Sequence, residues 1–88
     1  MNKEHITSVA KVLTQWNPLG EEANKVSDLN GYHTEAIDIL MALHLRGNSM
    51  KPEVIVMKVL NEAFGLKLNQ QDCIIPAQKI LAILGKKK

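Results

Sequence analysis

Glycines at positions 20, 31, 47, 65 and 85 divide this chain into segments in which apolar residues recur at helical spacing. Four of them, Gly31, Gly47, Gly65 and Gly85, fall where the periodicity starts or stops, and Gly20 closes a turn around Trp16. No run alternates apolar and polar residues for long enough to make a strand. The chain therefore reads as all-α: one compact four-helix domain over residues 1–85, bundle-like or orthogonal, with five short helices if the last is divided. A basic tail follows at 86–88.

Ile6, Val9, Leu13 and Trp16 follow one another at steps of three, four and three, which predicts a first helix from about residue 4 to 16. The sequence Trp16-Asn17-Pro18-Leu19-Gly20 must end it, because proline disfavours the helical conformation in the residue before it and glycine permits a turn. Between Asn17 and Gly31 the periodicity is lost over a stretch longer than the roughly two to eight residues usual between bundle helices. A short helical turn is expected at Glu21 to Lys25, then turn residues from Ser27 to Gly31.

A second helix is predicted over His33 to Leu45, stopped by Gly47 and Asn48. The third has Ser49 as a cap, Pro52 in its first turn, and Val56, Val59, Leu60, Ala63 and Phe64 as its buried face. Asn69 and Asp72 have the spacing of a capping box. Pro76 then predicts a turn at Gln70 to Ile74 and a separate helix from Pro76 to Leu84, with a single kinked helix as the competing arrangement.

The composition is 45% hydrophobic but only 3% aromatic, so the core must come from aliphatic side chains, with Trp16, Tyr32 and Phe64 as the only large rings. Three of the eleven basic residues are Lys86, Lys87 and Lys88; the remaining eight against nine acids leave the body at −1. A body so near neutrality argues against a nucleic-acid binder, which carries a basic stripe. The N-terminal segment mixes charged and apolar residues unlike a signal peptide, and no apolar run is longer than that of Ile39 to Leu43, far too short to span a bilayer. Cys73 is the only cysteine. A reducing, cytoplasmic setting without membrane attachment is the expectation.

Little in the chain points to catalysis. His5, His33, His44 and Cys73 lack metal-ligand spacing, and no activated nucleophile, strained nucleophile turn or phosphate-binding glycine loop is present. Glu35 and Asp38, three apart on helix two, read as a solvated face unless a pocket shifts their ionisation. Cys73 beside Ile74 and Ile75 reads as a small core residue. No enzyme, metal or cofactor is predicted.

The informative feature is a surplus of apolar residues. Four short helices offer limited interior, so some of Ile39, Val54, Ile55, Met57, Ile74, Ile75 and Ile83 should stay near the surface as a patch for a partner or a second copy. The other reading packs them against the long loop and Trp16.

The segment Trp16-Asn17-Pro18-Leu19-Gly20 after helix one resembles a family of small bacterial helical proteins of unknown function that carry Trp, Asp or Asn, Pro, an apolar residue and often Gly. Tyr32 with Glu35 and Ile37 looks like that family's opening of the second helix, and Ile55, Val59, Leu60, Phe64 and Gly65 like its third. The resemblance implies a compact helical domain without assigned catalytic residues. In structural terms Trp16 plugs the bundle, Asn17 caps, and Pro18 with Gly20 fixes the exit; in functional terms Trp16 and Tyr32 border a binding notch. The residues taken as partner-contacting are Trp16, Asn17, Pro18, Tyr32, Glu35 and Ile39. The function expected is a small cytosolic protein-protein interaction module, an adaptor or a neutralising, immunity-type protein, with a homo-oligomer compatible. The alternative is a small nucleic-acid-binding regulator in which Lys51, Lys58 and the tail meet phosphates.

Overall fold

The computed structural model of the chain describes residues 3–21 and 30–85. Four helices account for most of them: α1 (Lys3–Trp16), α2 (His33–Arg46), α3 (Pro52–Phe64) and α4 (Ile74–Ile83), with short 3₁₀ turns at Asn30–Tyr32 and Gln71–Cys73. No strand occurs among the described residues. The predicted turn at Glu21 to Lys25 and the tail at 86–88 lie outside them, save Glu21 itself.

The helices form a closed ring. α1 packs on α2 and α4, and α3 packs on the same two; across either diagonal no Cα atoms come within 8 Å. The apolar stripes meet in the middle, where Val9 and Leu13 of α1, Ala36, Ile39, Leu40 and Leu43 of α2, Ile55, Val56 and Leu60 of α3, and Ala77 and Ile80 of α4 are buried. Each large aliphatic side chain there contributes about 1.5–3 kcal/mol by leaving water. The α3 stripe is rotated from the expected one: Ile55 is buried, whereas Ala63 is exposed and Val59 and Phe64 are half-buried.

Helix ends explain the connections. Asn17 takes a left-handed conformation (φ 50°) after donating its backbone N–H to the Leu13 carbonyl, so α1 stops at Trp16, two residues before Pro18. The expected stop of α2 falls where predicted, with Gly47 as its C-cap, but Gly47 itself stays helical (φ −61°, ψ −20°), and the Arg46 carbonyl accepts the backbone N–H groups of Ser49 and Met50 in the turns that follow. At the start of α3 the expectation is corrected. Ser49 caps nothing in α3; its hydroxyl donates to the Arg46 carbonyl, and the N-cap of α3 is Lys51, without a side-chain cap.

Gly65 does end α3 in the left-handed region (φ 63°) with open space around it. Gly65→Ala should therefore destabilise through backbone strain alone, by about 1–2 kcal/mol, read as a lowered urea midpoint. Beyond it, Asn61 clamps the connection: its Oδ1 accepts the Leu68 N–H at 2.9 Å and its Nδ2 donates to the Leu68 carbonyl at 3.1 Å. Asn69 and Asp72 then form the expected reciprocal cap, at 2.8 Å and 3.4 Å. The expected turn and the separate helix after it are both present, as the 3₁₀ turn at Gln71–Cys73 and α4, but α4 starts at Ile74 rather than Pro76. Pro76 lies in the first turn, where its missing N–H would have had no intrahelical partner.

Candidate functional site

The residues expected to share a contact face fall into two groups with different surroundings. Tyr32 is buried at 1% exposure, and its hydroxyl donates to Asn17 Oδ1 at 2.7 Å while accepting the Leu19 backbone N–H at 3.3 Å. Asn17 Nδ2 donates onward to the Gly20 carbonyl at 3.2 Å, and the Gly20 N–H returns to the Asn17 carbonyl at 2.9 Å. The turn after α1 is thereby latched to the start of α2. Thr14 adds to it: its hydroxyl bonds the Ala10 carbonyl at 2.8 Å and lies 3.1 Å from the Gly31 carbonyl.

This latch holds the only two described non-glycine residues with positive φ, Asn17 at 50° and Tyr32 at 63°. A left-handed tyrosine costs roughly 1–2 kcal/mol of backbone strain, which its buried ring and both hydroxyl bonds offset. The ring also meets Phe64 edge-on, with centroids 6.0 Å apart and planes at 89°. Burial pushes the phenol above its usual range; the Leu19 hydrogen bond opposes this, and the nearby Glu35 charge adds to it. Glu35, in the first turn of α2, is itself buried, with the positive end of the helix dipole favouring its carboxylate. Ile39 is buried completely. Tyr32, Glu35 and Ile39 are thus interior residues here, while Asn17 is exposed and Pro18 half-buried.

Trp16 looks the other way. Half-buried at the end of α1, it joins Val12 and Gln15 in one wall of a groove of about 250 Å³ whose other wall is Asp72, Ile75, Pro76 and Lys79. Positions 12, 15 and 16, and positions 72, 75, 76 and 79, have the spacing that puts residues on one helix face. The groove is smaller than the ~300–1,000 Å³ usual for a small-molecule pocket. Ile75 stands at its rim, 65% exposed. Of the surplus apolar residues, Ile75 alone is exposed; Ile39 and Ile55 are core, and Val54, Met57, Ile74 and Ile83 are half-buried. Two residues outside that set, Met41 and Leu45, stand out on α2 at 47% and 74%.

Among the described residues no three His, Cys, Asp or Glu side chains gather where they could hold a metal ion. No described helix is long and apolar enough to cross a membrane. Cys73 is fully buried, and burial first, with the neighbouring Asp72 charge second, pushes its thiol from 9.0 up to about 11. Such a thiol is protonated near neutral pH and a poor nucleophile.

The raised thiol makes stability depend on pH. Folding favours the protonated form, so the contribution is complete below the unfolded value near 9.0 and is lost as pH rises through about 11. Between pH 8 and pH 11 the parent should lose about 2 kcal/mol more than Cys73→Ala, on top of the loss both share from the raised Tyr32 phenol. An equal loss in both proteins would assign the effect to other groups. Compared with protein-family models, with curated proteins and with solved structures, the chain finds no match in any of the three.

Proposed function

We propose that this chain is a small cytosolic protein-interaction module, of the adaptor or neutralising kind, and that its contact surface is the α1–α4 groove. The observation that carries the reading is Ile75, a large aliphatic side chain left 65% exposed beside Trp16 in a notch with polar ends. Exposed apolar surface rimmed by polar groups marks a place where a protein meets another.

The test is capture from a bacterial lysate, with nuclease present, using the parent, Ile75→Lys, and Met41→Glu/Leu45→Glu on the other face. A stoichiometric protein held by the parent and the α2 variant but lost from Ile75→Lys supports the groove. Loss only from the α2 variant moves the contact surface there. Nucleic acid retained without nuclease, in a salt-sensitive way, replaces the reading with that of a regulator acting through Lys51 and Lys58.

A further inference from the structure

We propose that the groove's occupant is a second copy of this chain, docked about a two-fold axis with the two α4 helices antiparallel. This rests on the groove being the contact surface, and it names the partner. The groove residues of the last helix and its leading turn are Asp72, Ile75, Pro76 and Lys79. The charges of Asp72 and Lys79 are opposite in sign and lie equally far on either side of the Ile75–Pro76 pair. At 1.5 Å per residue, Asp72 and Lys79 are separated by roughly 10 Å along the helix direction.

A two-fold axis passing between residues 75 and 76 therefore brings Asp72 of each copy to Lys79 of the other. An isologous interface requires such self-complementarity, since each residue that contacts another must be contacted by it in return. A parallel, in-register pairing of the two helices would instead set Asp72 against Asp72 and Lys79 against Lys79. Asp72 and Lys79 are both exposed, and among the described residues Lys79 has no side-chain hydrogen bond or ion pair, so its charge is available across the interface.

The centre of the arrangement is apolar. Ile75 of each copy enters the other's groove, against Trp16, Val12 and Pro76 of the receiving chain. Only seven residues line the groove, against the 20–30 a side of a standard stable interface. The dimer is accordingly weak and concentration-dependent, forming in the range of about 10 µM to 1 mM.

Sedimentation equilibrium over that range tests it, with parent, Asp72→Lys, Lys79→Asp and Ile75→Lys. The parent should self-associate. Each charge variant alone sets two like-charge pairs across the axis and should weaken association by at least about tenfold, as should Ile75→Lys. An equimolar mixture of Asp72→Lys with Lys79→Asp should associate again. One chain of the mixed pair then carries lysine at both positions and the other aspartate at both, so opposite charges face each other twice across the interface. Circular dichroism checks the fold of each variant. Asp72 also belongs to the cap with Asn69, so if its variant does not fold, Lys79→Asp and Ile75→Lys carry the test, and both must be less associated than the parent.

A parent that remains monomeric through the range overturns the proposal, as does association unchanged in the folded variants or a mixture that fails to recover. If the parent is monomeric while Ile75→Lys still loses a different captured protein, the groove keeps its role and only the second copy is removed. If neither self-association nor capture depends on Ile75, the groove reading fails as well.

Discussion

Tyr32→Ala is expected to cost about 3–5 kcal/mol, the range for truncating a large buried ring. A domain of 88 residues has roughly 4–13 kcal/mol in total, so this variant should be close to unfolded or fully so at room temperature. Three losses combine: the edge-on contact with Phe64, the Leu19 N–H left without its acceptor, and Asn17 Oδ1 left without its donor. Tyr32→Phe separates them, because it keeps the ring and removes only the hydroxyl; about 1–3 kcal/mol should go. Asn17→Asp keeps an acceptor for the phenol and gives up the bond to the Gly20 carbonyl, so it should be milder than Asn17→Ala. Urea unfolding followed by far-UV circular dichroism measures all four. A Tyr32→Phe midpoint equal to the parent's would show that the hydroxyl latch carries no stability.

The second large effect contrasts two aliphatic residues of α2. Ile39 is fully buried in the ring's interior, and Ile39→Ala should cost about 2–5 kcal/mol; Leu45, 74% exposed near the helix end, should change stability by no more than about 0.5 kcal/mol when made Ala. The same urea series reads both. Equal effects would mean that α2 turns a different face to the core from the one described. The pair also separates folding from contact: Ile39 cannot meet a partner without opening the domain, whereas Leu45 can.

That contrast shows what is legible in the sequence. Four helices can be read because periodicity and glycine punctuation coincide, and α1 begins and ends within a residue of its expected bounds. The Asn69 and Asp72 cap is equally readable, being local and carried by residue type and spacing. What cannot be read is the rotation of a helix that is apolar on more than one side. α2 carries Ile37, Ile39, Leu40, Met41 and Leu43, and only packing against both α1 and α3 decides that Ile39 turns inward and Met41 outward. Side-chain bonds at longer range escape for a related reason. Tyr32 reaching Asn17, fifteen residues away, depends on where two connections come together, which neither segment contains alone, and Asn61 reaching Leu68, seven residues on, depends on the path the chain takes past Gly65.

The same limit applies to the groove. Trp16 and Ile75 each stand out in the sequence, but their neighbourhood exists only because the last helix packs beside the first, and Asp72 reads there only as half of a cap. Pro76 reads as a helix breaker, yet in the first turn of α4 it is compatible with the helix and forms part of the groove wall.

The ring arrangement bears on the order in which the molecule assembles. Neighbours such as α2 and α3 are joined by the five residues 47–51 and can meet early, whereas α1 reaches α4 only after most of the chain has been looped back. Each doubling of a loop adds about 0.6 kcal/mol to the entropic cost of closing it, so the α1–α4 seam should be among the last contacts made and the first released. Its groove does not exist until that closure. A molecule bound there selects chains whose circuit is complete, and should slow amide hydrogen exchange at the seam by holding first and last helices together.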